Sequence, residues 1–179
     1  MNKINTNTLN LIKHYESLHD GDLNKVGLQP KADPVGIYTE GYGRAMIDPL
    51  TKKWVKDKKR AYELQTIFHE EDAVTALALD LKPFALELSR ALESGGVLLN
   101  DNQFGALLSM GYNCGAGPMI KTMNRVASPG ATTDSIFKAF GMYNKATLNG
   151  KLTVLNGLVY RRKSEAHLYC YDAVKFYNS

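Results

Sequence analysis

Asp33-Pro34-Val35-Gly36-Ile37-Tyr38-Thr39-Glu40-Gly41-Tyr42-Gly43-Arg44 is the stretch from which the rest of the chain is read. Asp33, Pro34 and Gly36 occupy the first, second and fourth places of a type I turn. Beyond the turn, Ile37, Thr39, Gly41 and Gly43 alternate onto one face of an expected strand. Lys25-Val26-Gly27-Leu28 is a second short β-like run just upstream. Residues 20–50 therefore predict a small twisted sheet or hairpin, the only β region expected in the chain.

On either side the pattern is helical. From Thr8 to about His19, Leu11, Ile12, Tyr15 and Leu18 fall at helical spacing, with Gly21 as the expected stop. Glu16 sits at the edge of that apolar stripe, near the last turn. Glu70, Glu71 and Asp72 suit the positive end of a helix through Val74, Leu77 and Leu81. Pro83 is expected to kink it or to start a new helix reaching about Glu93. Asn100-Asp101-Asn102-Gln103 reads as a near capping box, opening a helix that carries Phe104, Leu107 and Leu108 as core and ends at Gly115-Ala116-Gly117. Thr133-Asp134 caps a short helix through Phe140, Asn149-Gly150 marks a turn, and Leu158 to about Val174 forms a last, basic helix. The fold class is α+β: mostly helical, with a small N-terminal antiparallel β-sheet lobe and a helical C-terminal lobe.

At 179 residues and 44% hydrophobic, the chain can bury one core or two small lobes sharing a helix. One domain is expected, its N-terminal lobe over about 15–70 and its helical lobe over about 85–179, with the first helix packing on the latter. No apolar run approaches a membrane span. The polar N-terminus lacks the apolar core of a signal peptide, which predicts synthesis in a cytoplasm. Cys114 and Cys170 are too few for a disulfide framework and read as buried reduced thiols. His69-Glu70-Glu71-Asp72 lacks the second histidine of a helical zinc site, so neither metal nor cofactor is expected. Residues 1–114 hold 13 basic and 15 acidic side chains, residues 115–179 hold 9 and 3. The second segment, at +6, can attract a polyanion. No nucleic-acid-binding motif accompanies that charge.

Two carboxyl groups with different surroundings are what acid–base cleavage of a glycosidic bond requires. Glu16, at the negative end of a helix beside apolar groups, is a candidate acid; a solvated surface glutamate is the plain alternative. Asp33, in a turn whose N–H groups stabilise an anion, is a candidate base or water holder; an ordinary Asx-turn residue is the alternative. Thr39, between glycines, has room to hold a water beside a ligand, although threonine is also simply a good strand former.

Glu16-Ser17-Leu18, Asp33 six residues before Thr39, and Thr39-Glu40-Gly41-Tyr42-Gly43-Arg44 together resemble the active-site signature of the phage-type lysozymes of glycoside hydrolase family 24. The resemblance continues in order through Asn100–Leu107, Tyr112-Asn113-Cys114-Gly115, Tyr143-Asn144-Lys145-Ala146 and Gly157–Glu165. It implies a lysozyme-like fold and an endolysin that hydrolyses the β-1,4 bond between N-acetylmuramic acid and N-acetylglucosamine in peptidoglycan. It further implies Glu16 as proton donor, Asp33 and Thr39 as positioners of the attacking water, and no cofactor. Inversion at the anomeric carbon, and carboxyl groups roughly 6.5–9.5 Å apart, follow from the same likeness. So do a monomer, accumulation in the host bacterial cytoplasm and release through holin lesions. Sixteen residues separate Glu16 from Asp33, against eight in compact family members, so Gly21–Ala32 reads as an insertion and Asp20 and Asp22 compete with Asp33. Met142-Tyr143 stands where the family has an aromatic residue, often tryptophan.

Substrate contacts are more open. Tyr42 and Tyr38 either stack on sugars or pack a lobe. Asn113 either binds an N-acetyl group or caps its helix. Arg161 or Arg162 either reaches Glu16 or is a solvated surface arginine. Two other functions compete: a lytic transglycosylase, which needs no water-activating Asp33, and a basic, non-catalytic module for peptidoglycan, nucleic acid or membrane. The last helix invites the membrane idea, although its apolar residues are expected to close the C-terminal lobe.

Overall fold

The computed structural model describes residues 2–148 and 150–178. Helix α1 spans Thr6–Glu16. Asn5 opens it, its Oδ1 accepting the Thr8 N–H at 3.0 Å and the Thr8 hydroxyl at 2.9 Å. The helix stops well before Gly21, because Ser17 adopts a left-handed φ of 58° and cannot continue it. Glu16 is therefore its final residue.

Strands β1 (Lys31–Ala32), β2 (Tyr38–Glu40) and β3 (Arg44–Ala45) form an antiparallel sheet in that order. Lys31 pairs with Thr39 and Ala32 with Tyr38; on the other edge Thr39 pairs with Ala45 and Glu40 with Arg44. The Asp33 turn forms as its spacing predicts, with the Gly36 N–H donating to the Asp33 carbonyl at 3.0 Å. Two expectations are corrected. Lys25–Leu28 is not a strand; its loop closes through Gly21 N–H to the Gln29 carbonyl at 3.0 Å and Leu28 N–H to the Phe68 carbonyl at 2.8 Å. Strand β2 ends at Glu40, and Gly41-Tyr42-Gly43 turns the chain into β3. Gly41 and Gly43 hold φ of +58° and +83°, values that glycine adopts without strain. They do not prolong the face of Thr39.

Helix α2 (Lys58–Leu64) is capped by Asp57, whose Oδ1 accepts the Arg60 N–H at 2.8 Å. Met46, Val55 and Ala61 form a small core, with Tyr38 and Leu64 against it. Helix α3 runs unbroken over Glu70–Gly95 with Pro83 inside it, so of the two expectations at Pro83, a kink or a new helix, the new helix does not occur. Helix α4 (Asp101–Cys114) begins with the full capping box of Asn100 and Gln103, and every residue from Phe104 to Gly111 is buried. A helix apolar on all sides belongs in the centre of a bundle. Around it pack α5 (Ala116–Val126), α6 (Thr133–Gly141, capped by Thr132) and α7 (Asn156–Tyr171). Leu11, Leu88, Phe104, Leu107, Met119, Phe140 and Leu168 share this core.

A second sheet, absent from the sequence expectation, pairs β4 (Lys145–Leu148) with β5 (Lys151–Val154). Of the expected Asn149-Gly150 turn, Asn149 lies outside the described residues; Gly150 has φ +77°. Cys114 and Cys170 are free and half-buried rather than fully buried. The chain divides into two compact units, one of Met1–Tyr15 with Leu81–Ser179 and one of Glu16–Asp80, the divisions falling inside α1 and α3. Among the described residues no helix is long and apolar enough to cross a membrane, and no cluster of three metal-ligating side chains occurs.

Candidate active site

Glu16, Asp33 and Thr39 all belong to the unit Glu16–Asp80. The Glu16 side chain, half-buried, lies along the turn after β2: a methyl group placed on Gly43 would stand 3.2 Å from its Oε2. The glycine there is what lets a carboxylate approach the main chain so closely.

Asp33 closes the β1–β2 hairpin. Its N–H donates to the Ile37 carbonyl at 2.8 Å, extending the ladder by one pair. Its Oδ1 accepts the N–H groups of Val35 at 2.9 Å and Ile37 at 2.8 Å. Two such donors fix the direction of the carboxylate. Both bonds fall on Oδ1, and Oδ2 takes neither. Thr39 lies opposite Lys31, two positions from Asp33, so the side chains of Thr39 and Asp33 leave the same face. Asp20 and Asp22 sit in the loop instead, where Asp20 Oδ1 accepts the Asp22 N–H at 3.1 Å and Asp22 Oδ1 the Asn24 N–H at 3.2 Å.

Thr39 is buried, and its Oγ1 donates to the Lys31 carbonyl at 3.0 Å. Within 2.8 Å of the same oxygen is Nδ1 of His19, a residue the sequence reading passed over. The His19 N–H also joins the Gly41 carbonyl at 2.9 Å, tying the chain after α1 to the end of β2. Burial and the positive charge of Lys31 lower the His19 pKa, against the Glu16 carboxylate and main-chain carbonyl, which favour the imidazolium. Its position three residues after Glu16 was the available signal. Helical periodicity carried through it obscured the end of the helix at Glu16.

Glu40, next to Thr39, is buried and structural: its carboxylate accepts the Thr66 hydroxyl at 2.6 Å and the N–H groups of Thr66 at 2.9 Å and Ile67 at 3.2 Å. Arg44 and Asp80 form an ion pair at 3.5 Å. Burial raises the Asp80 pKa, Arg44 opposes that, and the like charge of Glu40 adds to it.

The substrate contacts fare differently. Tyr42 is 5% exposed and its hydroxyl donates to Glu70 Oε1 at 2.8 Å, so it has no open face on which to stack a sugar; Tyr38 is half-buried beside the small core. Arg161 and Arg162 are not solvated either. In the other unit they are 3% and 1% exposed around a wholly buried Glu165. Arg162 Nε lies 2.9 Å from Glu165 Oε2, Arg161 Nε lies 3.3 Å from Oε1, and the Ser109 hydroxyl donates to Oε1 at 2.7 Å. Helix α7 thus turns charge inward, while its Leu168 and Tyr169 are buried in the core of their unit, as expected of a helix that closes the C-terminal lobe. Asn113 is exposed, its Oδ1 accepting Arg162 Nη2 at 2.9 Å, and it lines a cavity of about 600 Å³ with Tyr143, Lys145 and Leu158.

The phage lysozyme family matches residues 22–165 of the chain. That stretch contains Asp33 and Thr39 and begins after Glu16. An endolysin from Escherichia coli O157:H7 phage FAHEc1 is 27% identical, with 97% of this chain and 96% of that one covered at a TM-score of 0.73. The muramidase domain of SpmX from Asticaccaulis excentricus is 26% identical, with 95% and 99% covered at a TM-score of 0.69. P22 lysozyme, at 23% identity, 94% and 99% coverage and a TM-score of 0.61, shares the fold. No curated protein matches the chain by sequence. The architecture is α+β and lysozyme-like.

Proposed function

The chain belongs to the phage lysozyme family and is a peptidoglycan-hydrolysing muramidase, and from that premise we propose that Glu16 is its proton donor while Asp33 and Thr39 hold the attacking water. The reading is carried by one observation: the three side chains fall within one compact unit, with Glu16 along the turn after β2 and Asp33 and Thr39 on one face of the β1–β2 hairpin.

Glycoside cleavage by inversion needs an acid at the leaving oxygen and a carboxylate that takes a proton from water on the other side of the sugar. Glu16 supplies the acid to the bond between N-acetylmuramic acid and N-acetylglucosamine. The water donates one hydrogen to Asp33 Oδ2 and the other to Thr39 Oγ1. Its lone pair then faces the anomeric carbon. The product is a free hemiacetal end, which separates this route from a lytic transglycosylase.

On purified walls, Glu16→Gln lowers turnover about 10²–10⁴-fold while the folded spectrum is retained. Asp33→Asn causes a loss of the same order, and Asp20→Asn and Asp22→Asn do not. Turnover in Glu16→Gln near that of the parent removes the assigned acid; a larger loss from Asp20→Asn or Asp22→Asn than from Asp33→Asn moves the base into the loop. Anhydro ends among the products would falsify the hydrolytic route.

The proposal extends to the setting. The enzyme acts in host lysis as a monomer, accumulating in the bacterial cytoplasm until holin lesions admit it to the wall. Fractionation with and without holin, and a sedimentation mass near 19.9 kDa, are the measurements that check these points.

A further inference from the structure

We propose that His19 is a positioning residue that fixes the direction of the Thr39 hydroxyl hydrogen, and through it the orientation of the attacking water. The inference rests on the reading of Thr39 given above.

A threonine hydroxyl has one hydrogen and two lone pairs. At Thr39 the hydrogen is committed to the Lys31 carbonyl, 3.0 Å away. In the state we infer, the 2.8 Å contact with His19 runs the other way, from an Nδ1–H of His19 to Thr39 Oγ1, with the Glu16 main-chain carbonyl as the competing acceptor for a ring hydrogen. Were Nδ1 unprotonated, the threonine hydrogen would be drawn to it, and Oγ1 would face the Lys31 carbonyl as one acceptor against another. His19 thus holds the rotor in one state. In that state Thr39 offers the water only its remaining lone pair, so the water donates to Thr39 and turns its own lone pair outward. Without His19 only the Lys31 carbonyl holds the rotor, and the hydroxyl can turn from it to donate to the water, which reverses the water's orientation without moving a heavy atom.

The ring is itself held. Its main chain is bonded to Gly41 at 2.9 Å, and Lys31 and Glu16 are the charged groups that act on it within its unit. It follows Glu16 just after left-handed Ser17 ends the helix, so one short segment carries both the proposed acid and the residue that orients the water holder. Neither nitrogen of His19 has to reach the sugar for this role.

The role is tested by tautomer and by coupling. In the parent enzyme, ¹⁵N-resolved imidazole spectra at neutral pH show hydrogen on Nδ1. His19→Ala lowers kcat about tenfold, the order expected for one buried hydrogen bond to a reacting group, with KM unchanged. His19→Asn, whose amide nitrogen falls near the place of Nδ1, restores kcat to within about twofold. In a Thr39→Val background, His19→Ala brings no further loss. An Nε2–H tautomer overturns the inference without touching the reaction assignment, as does full turnover in His19→Ala or a loss that multiplies with that of Thr39→Val. Full turnover in Thr39→Val alone overturns the reading of Thr39 itself.

Discussion

Tyr42 and His19 exchange the parts that their residue types suggest. The tyrosine between two glycines has the composition of a sugar platform, yet its hydroxyl is bonded to Glu70 and its ring is covered. Tyr42→Phe should accordingly lower stability by about 1 kcal/mol and leave KM for wall fragments unchanged; a large rise in KM with unchanged stability would return it to the substrate. His19, overlooked in the sequence, has a pH consequence. Its folded pKa is depressed by burial and by Lys31 below the ordinary 6.5, so its contribution to stability is present above pH 6.5 and is lost as pH falls through the folded value. Unfolding free energy measured against pH should slope downward there, and His19→Asn should flatten the slope. At this scale the sequence was legible where a residue's role is local, as in the Asp33 turn. It was illegible where the role depends on contacts from distant segments. Arg161 and Arg162 look like surface residues until Ser109 and Glu165 are placed beside them.

Elements that carry their own end signals were readable from the chain: the capping box at Asn100, the acidic start at Glu70 and the glycine stop after Cys114. Elements set by their surroundings were not. Extended spacing favours a strand through Gly43, but both glycines hold positive φ where the chain turns, and a side chain at Gly41 would meet Ile67 and Ala73 and one at Gly43 would meet Glu16. The β4–β5 pair is short and largely exposed, so no buried face marked it; the alternation on both sides of Asn149-Gly150 was the signal that remained. Packing between α1 and α4 gives the element-scale prediction. A methyl group on Gly105 would collide with Thr8, a buried side chain held by Asn5. Overpacking of this kind costs about 1–3 kcal/mol. Gly105→Ala should thus lower the Tm in calorimetry, although alanine is the better helix former.

At the scale of the whole molecule, charge is distributed between interior and surface. Arg161, Arg162 and Glu165 together contribute only one of the six net positive charges of residues 115–179, so most of that charge is carried outside the buried cluster. We therefore expect attraction to the anionic wall, with lysis rates that fall as salt is added; rates indifferent to salt would dismiss it. Glu165→Gln leaves two guanidinium groups buried around a neutral amide and should cost about 3–5 kcal/mol in denaturant unfolding. Alkaline stability has a separate origin. Burial raises the Tyr169 pKa to about 12, so its contribution is complete below pH 10 and is lost as pH rises through 12; Tyr169→Phe should lack that alkaline loss. The loop between Asp20 and Pro30 bears on how such an enzyme is modified. It is fastened at its base by Gly21 to Gln29 and by Leu28 to Phe68, while Val26 at its tip is wholly exposed. Its length is thereby uncoupled from the spacing of the groups on either side, and lengthening a loop costs only about 0.6 kcal/mol per doubling. Val26 is the place to splice in an epitope or a wall-targeting peptide without disturbing turnover.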